Sequence, residues 1–296
     1  MKRRAALGAA LILAGCAAGA GKPAFPPEPP LAKPGLAGMQ YLYGSAESAA
    51  ISRQAWQALT FYVGEAMQGK DRRSVVLDEG ATLEAPKFVP CAGKPPAAVF
   101  DVDETVLLNL GFEYDELTGK PGREFDDRWT RWEETGAHAV SPTPGAREAL
   151  DAIRRMGVTV IFNTNRNAFH ATPTEQAIND AGIGPAVHGK TLYLAGDDAN
   201  GSKKDGRRHT IASRYCVIAM GGDQLGDFSD LFNDAQSVPA RRALTALPGP
   251  SSLWGRGWFV MPNPVYGTAL QGGADDIFPA DKRWTDPATT STKEPR

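Results

Sequence analysis

The chain has 296 residues, of which 42% are hydrophobic and 22% charged, and its formal net charge at pH 7 is −2. This length and composition fit one globular domain with modest additions, and they allow a sizeable buried core. A net charge near zero provides no overall basic field, so a nucleic-acid partner is not expected and an anionic substrate must be bound by a local group of side chains.

The N-terminus has the pattern of an export signal. Basic residues at positions 2–4 precede a short apolar run that ends in Leu13-Ala14-Gly15-Cys16. The run is too short to span a bilayer, and residues 1–15 are interpreted as a signal peptide. The ending resembles a bacterial lipobox, which implies lipidation of Cys16 and an exported lipoprotein anchored to a cell membrane, with the outer membrane as the expected location. An ordinary signal peptide with an incidental cysteine is the alternative.

A linker is predicted at residues 16–36, which are rich in proline, glycine and alanine and show no hydrophobic periodicity. Segments of this kind favour extended, semi-rigid conformations. We therefore expect a lipid-anchored stalk that holds a folded domain, residues 37–273, away from a membrane. The last residues, 274–296, match no pattern found elsewhere in the chain and are predicted to be a disordered tail.

Helices and strands are predicted to alternate along the domain. A first helix is expected within residues 41–67, where Trp56, Leu59 and Val63 lie on one apolar face. Short apolar runs then predict strands that are buried on both faces of a parallel sheet. These runs are residues 97–100, 158–162, 191–195 and 215–220, and helices are expected at residues 144–157, 172–182 and 204–213. The alternation predicts an α/β fold with a doubly wound, Rossmann-like parallel sheet.

Cys91 and Cys216 each lie near the expected start of a strand. An exported protein experiences an oxidising compartment, which favours a disulfide between them. Two buried free thiols are the alternative. No CxxC or zinc-type spacing occurs in the sequence.

Residues 107–141 interrupt the alternation of helices and strands. They contain several aromatic side chains among many charges, including Phe112, Tyr114, Trp129 and Trp132. We interpret this stretch as an insertion above the carboxyl edge of the sheet, where open α/β folds bind ligands. The aromatic residues are also able to form a small satellite core, and the two interpretations are compatible.

Four polar clusters follow predicted strands or precede predicted helices. Asp101 and Asp103 come directly after the strand at residues 97–100, so their carboxylates can converge on one phosphate and one cation. The other clusters are Asn163-Thr164-Asn165-Arg166, the Lys203-Lys204 pair, and Asp223 with Asp227. The second cluster offers a hydroxyl, an amide and a cation to phosphate oxygens. Each cluster taken alone also fits a capping residue, a solvated surface or a tight turn, but their joint placement on one sheet edge favours a catalytic site.

In this order the clusters resemble the four motifs of the haloacid dehalogenase (HAD) superfamily. The chain resembles more specifically the class C acid phosphatases, the bacterial lipoprotein 5′-nucleotidase-like branch of that superfamily. The resemblance covers roughly residues 40–270 and also includes the lipobox, Ser45-Ala46-Glu47, Pro144-Gly145-Ala146 and Pro262-Asn263-Pro264-Val265-Tyr266-Gly267. Leu108 departs from the pattern, since an acidic residue is expected at that position.

The resemblance implies an HAD-like sheet with a small, mostly helical cap and a two-step phosphoryl transfer. Asp101 is then the nucleophile that forms an aspartyl-phosphate, and Asp103 is the general acid and base. Thr164 donates a hydrogen bond to a phosphoryl oxygen, and Lys204 offsets the charge of Asp101 and of the phosphoryl group. The family spacing from Ser202 to Arg207 favours Lys204 over Lys203.

The resemblance also implies Mg²⁺, or another divalent cation, bound by oxygen atoms. Its expected ligands are Asp101, the backbone carbonyl of Asp103, and Asp223. Asp227 is expected to bind the cation directly or through a water molecule.

The implied partner is a small phosphate ester, with nucleoside 5′-monophosphates as the expected substrates. Asn165, Arg166, Tyr266 and Trp132 are the candidate substrate-binding residues, because an aromatic clamp suits a flat nucleobase. The alternative function is a surface lipoprotein that mainly binds and delivers a nucleotide or cofactor. Against that alternative, all four catalytic positions carry competent residues. The sequence has no Arg-His-Gly segment and no Walker A loop, which disfavours histidine acid phosphatases and ATPases.

Overall fold

The computed structural model describes residues 35–286, apart from residues 70, 71, 121, 123 and 236. The signal peptide, Cys16 and nearly all of the linker lie outside these residues, so the predictions made for them stay predictions. Within the described part of the chain, no helix combines the length and the apolar character that crossing a membrane requires.

Seven strands and ten α-helices make up the described domain. The strands are β1 Pro96–Phe100, β2 Leu107–Leu108, β3 Ser141–Pro142, β4 Thr159–Asn167, β5 Leu192–Ala195, β6 Cys216–Gly222 and β7 Trp258–Val260. The helices are α1 Leu36–Met39, α2 Ala46–Gln68, α3 Leu110–Thr118, α4 Phe125–Thr135, α5 Ala146–Arg155, α6 Ala171–Asp180, α7 Asp205–Arg214, α8 Val238–Leu244, α9 Pro248–Leu253 and α10 Ala274–Ile277.

Five of the strands form a parallel sheet in the order β5-β4-β1-β6-β7. Phe100 at the end of β1 is paired with Phe162 on one side and with Gly221 on the other. The chain builds outward from β1 in one direction and then returns to its other side, so a topological switch point lies between β1 and β6. Ligands bind outside the carboxyl ends of the strands at such a point. The predicted doubly wound α/β fold is confirmed.

The strand residues alternate between two hydrophobic cores. Ala98 and Phe100 face the core formed with α2, α5 and α6, where Trp56 packs with its ring centroid 5.4 Å from that of Phe100. Ala97 and Val99 face the opposite core, which includes α7 and Trp258. Because both faces are covered, these strands read in the sequence as continuous apolar runs.

A disulfide joins Cys91 to Cys216, with the two Cα atoms 4.6 Å apart. Cys216 begins β6, and Cys91 lies shortly before β1, so the bond connects neighbouring strands at the edge opposite to the polar clusters. Of the two alternatives left open by the sequence, the structure contains the disulfide.

Residues 107–141 form a mostly helical insertion between β1 and α5. It holds α3 and α4 and is closed at its base by the antiparallel pair β2–β3, in which Leu107 is paired with Pro142 and Leu108 with Ser141. Leu108 is buried in this pairing, which accommodates the apolar side chain at a position where an acid was expected.

Two parts of the chain differ from the predicted elements. Strand β7 was not predicted, because it has only three residues and Val260 is exposed. The disordered tail is corrected for residues 274–286, where α10 begins with the Gly273 amide donating to Asp276. The Arg283 guanidinium also donates to the carbonyl of Phe278, and these local bonds give that segment a defined conformation although its side chains are exposed.

Candidate active site

The polar clusters meet at the carboxyl edge of the sheet. Asp101 follows β1 directly, Thr164 lies within β4, and Asp223 follows β6. The Asp101 amide donates to the carbonyl of Gly221 at 3.0 Å, which extends the β1–β6 pairing to the first residue of the site. Parallel strands thus bring together groups that are far apart in sequence.

Lys204 lies between two carboxylates at the centre of the site. Its Nζ atom donates to Asp101 and, at 2.7 Å, to Asp227 Oδ1. Burial works against a charged amine, but the two carboxylates outweigh it and raise the pKa of Lys204. Lys203, by contrast, is exposed. The structure therefore brings Lys204, and not Lys203, into the site.

Asp223 is held by neutral donors. Its Oδ2 atom accepts from Asn263 Nδ2 at 2.7 Å and from Gln224 Nε2 at 2.9 Å, and its Oδ1 atom accepts from Thr105 Oγ1 at 3.1 Å. Burial, together with the charge of Asp227, raises the pKa of Asp223 to about 7. A nearby cation would remove this penalty on the ionised form.

Three carboxylates converge closely enough to share a cation. Oxygen atoms of Asp101, Asp223 and Asp227 all lie within 4.8 Å of one another. Burial also raises the pKa of Asp101 well above its usual range, and only Lys204 works in the other direction. Gly222 makes the arrangement possible, since a Cβ atom there would collide with the Asp227 carboxyl.

Asp103 faces a different partner. Its carboxylate accepts from Arg166 Nη2 at 2.8 Å, from Arg166 Nε at 3.0 Å and from Asn109 Nδ2 at 2.9 Å. Burial disfavours the ionised form, but the Arg166 guanidinium and Asn109 prevail and lower the pKa of Asp103. Asp103 therefore stays ionised to a lower pH than an ordinary aspartate.

The cluster Asn163-Thr164-Asn165-Arg166 at the end of β4 differs in part from the prediction. Arg166 is almost fully buried against Asp103 and Asn109, so it holds the Asp103 carboxylate and does not line the central cavity as a substrate-binding group would. Thr164 is also fully buried, and its hydroxyl lies 3.4 Å from Asp103 Oδ2. Asn165 is the member of this cluster that lines the cavity.

Two buried arginines fix the position of Lys204. The sequence pointed to Arg207 only as the end of the family spacing that begins at Ser202, and it did not single out Arg208. Arg207 donates to Asn165 Oδ1 at 2.6 Å and to the Thr164 carbonyl, which ties α7 to β4. Arg208 donates at 2.9 Å to the carbonyls of Gly226 and Asp227. Their signal in the sequence is two adjacent arginines on a helix that directly follows Lys204.

Glu104 joins three segments behind the site. It has a positive φ of 52°, a sparsely populated conformation for a residue with a side chain, and it is almost fully buried. Its carboxyl accepts from Tyr43 at 3.1 Å, from the Asn109 amide at 2.9 Å and from the Tyr266 hydroxyl. Burial, with the nearby charge of Asp103, raises the pKa of Glu104 to about 8. Tyr266 is thus anchored through its hydroxyl while it lines the cavity.

A cavity of about 980 Å³ opens above these groups. We call it the central cavity. Its sheet end contains the charged site residues Asp101, Asp103, Lys204, Asp223 and Asp227, and its insertion end contains Phe112, Glu113, Glu116, Leu117, Phe125 and Trp129.

The aromatic wall of the insertion end differs from the predicted clamp. Phe125 and Trp129 are stacked with ring centroids 6.1 Å apart, and Phe112 meets Trp129 edge-on at 4.9 Å. Trp132, the predicted clamp residue, does not line the cavity, because it packs inside the insertion over Gly136, where a Cβ atom would collide with its ring. Trp129 occupies the position that the sequence assigned to Trp132.

Glu133 connects this wall to the sheet. It is almost fully buried, and it accepts from Trp129 Nε1 at 2.8 Å and from the Asn167 amide at 3.1 Å. His170 Nδ1 lies 2.6 Å from the same carboxyl. The orientation of the Trp129 ring is therefore set by contacts with the end of β4.

Comparisons with known proteins agree with this geometry. A family model described as HAD superfamily, subfamily IIIB (acid phosphatase) matches residues 40–269. The chain is 27% identical over 175 residues to acid phosphatase 1 from Solanum lycopersicum, and the match covers 57% of each protein. It therefore spans little more than half the length of that curated relative.

Solved structures show the same fold. Two structures of class C acid phosphatase from Bacillus anthracis, the first with tungstate bound, superpose with TM-scores of 0.62 and 0.64. Each is 22% identical, and each match covers 80% of this chain and 86% of the other. The predicted resemblance to class C acid phosphatases is confirmed, and, since the family model extends over well more than half of its length, the chain belongs to the acid phosphatase subfamily IIIB of the HAD superfamily.

Proposed function

We propose that this protein is a metal-dependent acid phosphatase that hydrolyses phosphate monoesters through an aspartyl-phosphate on Asp101. The observation that carries the proposal is the position of the Asp101 carboxylate. It lines the central cavity, accepts from Lys204, and lies with the carboxylates of Asp223 and Asp227 in one cluster.

The donor set suits a hard divalent cation such as Mg²⁺. Carboxylate oxygens of Asp101, Asp223 and Asp227 would hold it, with the backbone carbonyl of Asp103 as the further ligand that the sequence implies. The high pKa values of Asp101 and Asp223 support the fit, because both ionised forms lack compensating charge in the protein alone. A bound cation supplies the positive charge that offsets these carboxylates and the phosphoryl oxygens.

The protein's own groups account for the two steps. The Asp101 carboxylate attacks phosphorus, the bond from phosphorus to the leaving oxygen breaks, and Asp103 in its protonated form gives that oxygen a proton. Because Arg166 lowers the pKa of Asp103, this protonated form is favoured by acidic pH. A water molecule then attacks the aspartyl-phosphate, Asp103 takes its proton, and inorganic phosphate leaves. Lys204 stays beside Asp101 and offsets the charge on the phosphoryl group. The hydroxyl of Thr164 is proposed to donate to a phosphoryl oxygen once substrate is bound.

Nucleoside 5′-monophosphates are the substrates that we propose. The insertion end of the central cavity offers aromatic faces, and Tyr266 and Asn165 also line the cavity. A flat base stacks well on such faces. One structural neighbour was solved with tungstate bound, an oxyanion, which supports a site for a phosphate group in this fold.

The test is phosphate release by the purified full chain from adenosine 5′-monophosphate and from glycerol phosphate. We expect release that requires Mg²⁺, is lost with a chelator and is abolished by Asp101→Asn, while the exposed control Asp127→Asn retains full activity. Faster release from glycerol phosphate would keep the mechanism and remove the nucleotide preference. No release from any ester, with tight nucleotide binding, would favour a binding lipoprotein.

We propose further that Cys16 is lipidated and that the protein is an exported lipoprotein of the outer membrane. The proposal rests on the lipobox-like sequence alone. In cells grown with a labelled fatty acid, we expect label in the full chain, recovered in the outer-membrane fraction, and none in a Cys16→Ala variant. A labelled Cys16→Ala variant would contradict the assignment.

A further inference from the structure

One buried carboxyl in the central cavity has no role in the proposed chemistry. Glu113 is only 5% exposed, and it lines the insertion end of the cavity. Among the described residues its carboxyl makes no hydrogen bond and no ion pair, whereas buried carboxyls are ordinarily paired. An unpartnered acid that faces a cavity indicates a group that enters from outside.

The neighbouring acid does not share this property. Glu113, Glu116 and Leu117 stand at i, i+3 and i+4 on α3 and therefore present one face to the cavity. Glu116 is already paired with Arg128, which also binds Asp115 at 2.9 Å. Burial, together with the charge of Glu116, raises the pKa of Glu113 to about 7, although the charge of Arg128 acts in the opposite direction. Glu113 is the acid on this face that is left for a ligand.

The charges around the cavity exclude an anionic leaving group. Lys204 is the one cation among the described lining residues, and it is committed to Asp101 and Asp227. The acids of the lining are Asp101, Asp103, Glu113, Glu116, Asp223, Asp227 and Asp230. A cation at the sheet end would compensate the carboxylates there, but no lining residue compensates Glu113.

The aromatic wall beside Glu113 suits a cation. The faces of Phe, Tyr and Trp attract ammonium groups, and quaternary ammonium ligands are recognised in this way. Phe112 already has the Arg128 guanidinium carbon 5.0 Å from its ring centroid. Phe125 and Trp129 present further ring surface to the same end of the cavity. Aromatic faces alone would suit any flat group, whereas aromatic faces with an unpaired carboxylate favour a positively charged one.

Glu113 lies about one helical turn from a residue that contacts the reacting groups. The Glu113 backbone amide donates to the Asn109 carbonyl at 3.1 Å, and Asn109 Nδ2 donates to Asp103 at 2.9 Å. One small molecule can therefore place its phosphate at the sheet end while its other end reaches Glu113.

We propose that Glu113 selects phosphate monoesters whose leaving group carries a positive charge, such as an ammonium or quaternary ammonium alcohol. This inference rests on the proposed phosphatase function and adds a second substrate class, beside nucleotides, for the same site. Glu113 pairs with the cationic group, and the rings of Phe112, Phe125 and Trp129 surround it.

Two esters of the same shape test the proposal. Choline phosphate and 3,3-dimethylbutyl phosphate differ by the replacement of the quaternary nitrogen with carbon, which removes the charge. For the full chain with Mg²⁺ at about pH 8, we expect kcat/KM for choline phosphate to exceed that of the neutral ester by about tenfold or more. In Glu113→Gln we expect the two kcat/KM values to lie within about twofold of each other. The control is Asp126→Asn, which changes an exposed acid of the same insertion and should leave the ratio of the two values unchanged.

A second measurement uses the unmodified protein, in case Glu113→Gln does not fold. With p-nitrophenyl phosphate as substrate, free choline should inhibit more strongly than 3,3-dimethylbutanol. Equal rates for the two esters, or equal inhibition by the two alcohols, would overturn the inference. Hydrolysis of p-nitrophenyl phosphate in the same experiment would leave the proposed function intact. If no ester at all is hydrolysed, the proposed function itself fails and the inference fails with it.

Discussion

At the sheet end of the central cavity each carboxylate has partners, whereas at the insertion end the Glu113 carboxyl has none among the residues that the structure describes. Asp103 is paired with Arg166, Asp101 and Asp227 share Lys204, and Asp223 accepts from amides and a hydroxyl. Pairing holds groups in one geometry before substrate arrives, which lowers a barrier. An unpaired group instead gains its partner only from a ligand. The contrast indicates that the sheet end determines rate and the insertion end determines preference.

The strongest way to break the pairing is Lys204→Met. Without the amine, Asp101 and Asp227 repel each other and the phosphoryl charge is no longer offset, so we expect kcat/KM to fall by about a thousandfold. Lys203→Met is the matched control, since Lys203 is exposed, and it should stay within about twofold of the unmodified protein. Similar losses in both variants would assign the effect to the loop and not to the contact with Asp101.

Removal of the Asp103 partner should have the next largest effect. In Arg166→Met the pKa of Asp103 is expected to rise, because the guanidinium that lowers it is gone. We expect activity to fall about a hundredfold and the alkaline limb of the pH–rate profile, where Asp103 loses the proton that it gives to the leaving group, to move to higher pH. Arg166→Lys, which keeps a positive charge, should move the limb less, and an unshifted limb in Arg166→Met would contradict the role of Arg166.

The lack of a partner for the Glu113 carboxyl should also affect how the stability of the protein depends on pH. Its folded-state pKa of about 7 exceeds the ordinary value of 4.5, so the folded protein holds this proton more tightly than the unfolded chain does. Its contribution to stability therefore declines as pH rises from the ordinary value through about 7. We expect Glu113→Gln to raise the free energy of unfolding at about pH 8 by on the order of 2 kcal/mol and to change it little at about pH 4. Denaturant titrations at both pH values measure the difference, and equal effects at the two would contradict it.

The aromatic wall should show the smallest effect, confined to binding. Trp129→Ala removes a ring that lines the central cavity, and we expect KM for an ester with an aromatic leaving group to rise about tenfold with little change in kcat. Trp132→Phe is the control, because Trp132 packs inside the insertion. It should lower the melting temperature and leave KM within about twofold. A larger rise in KM in Trp132→Phe than in Trp129→Ala would instead assign substrate binding to Trp132, the residue that the sequence suggested.

The fold was predictable because its central strands are buried on both faces. Residues 97–100 and 215–220 read as apolar runs, and each ends at an aspartate motif that the sheet then places beside the other. Strand β7 was not predictable in this way, since it is short and Val260 is exposed. The break in the first helix at Ser45, whose hydroxyl accepts from the Ser48 amide at 3.0 Å, is a local capping effect that apolar periodicity does not report.

The positions of the charged site residues were predictable, but their partners were not. Asp101, Asp223 and Lys204 stand at the ends of elements, so their sequence positions predict a common edge. Asn109 and Arg208 act through contacts across the fold, and no periodicity marks them. The sequence suggested that Arg166 binds substrate, because a sequence does not show that Asp103 lies within hydrogen-bonding distance of Arg166. Only packing distinguishes Trp129 from Trp132.

The disulfide makes a covalent ring of the segment between Cys91 and Cys216. The ring contains Asp101 and Lys204, while Asp223 lies shortly beyond it. A protease that nicks the exposed loop at residues 199–203 would therefore produce two fragments that remain joined. On a denaturing gel they should migrate apart only after reduction. A single cut in the segment that carries Asp101 and Lys204 would thus leave the chain covalently connected, as long as its surroundings remain oxidising.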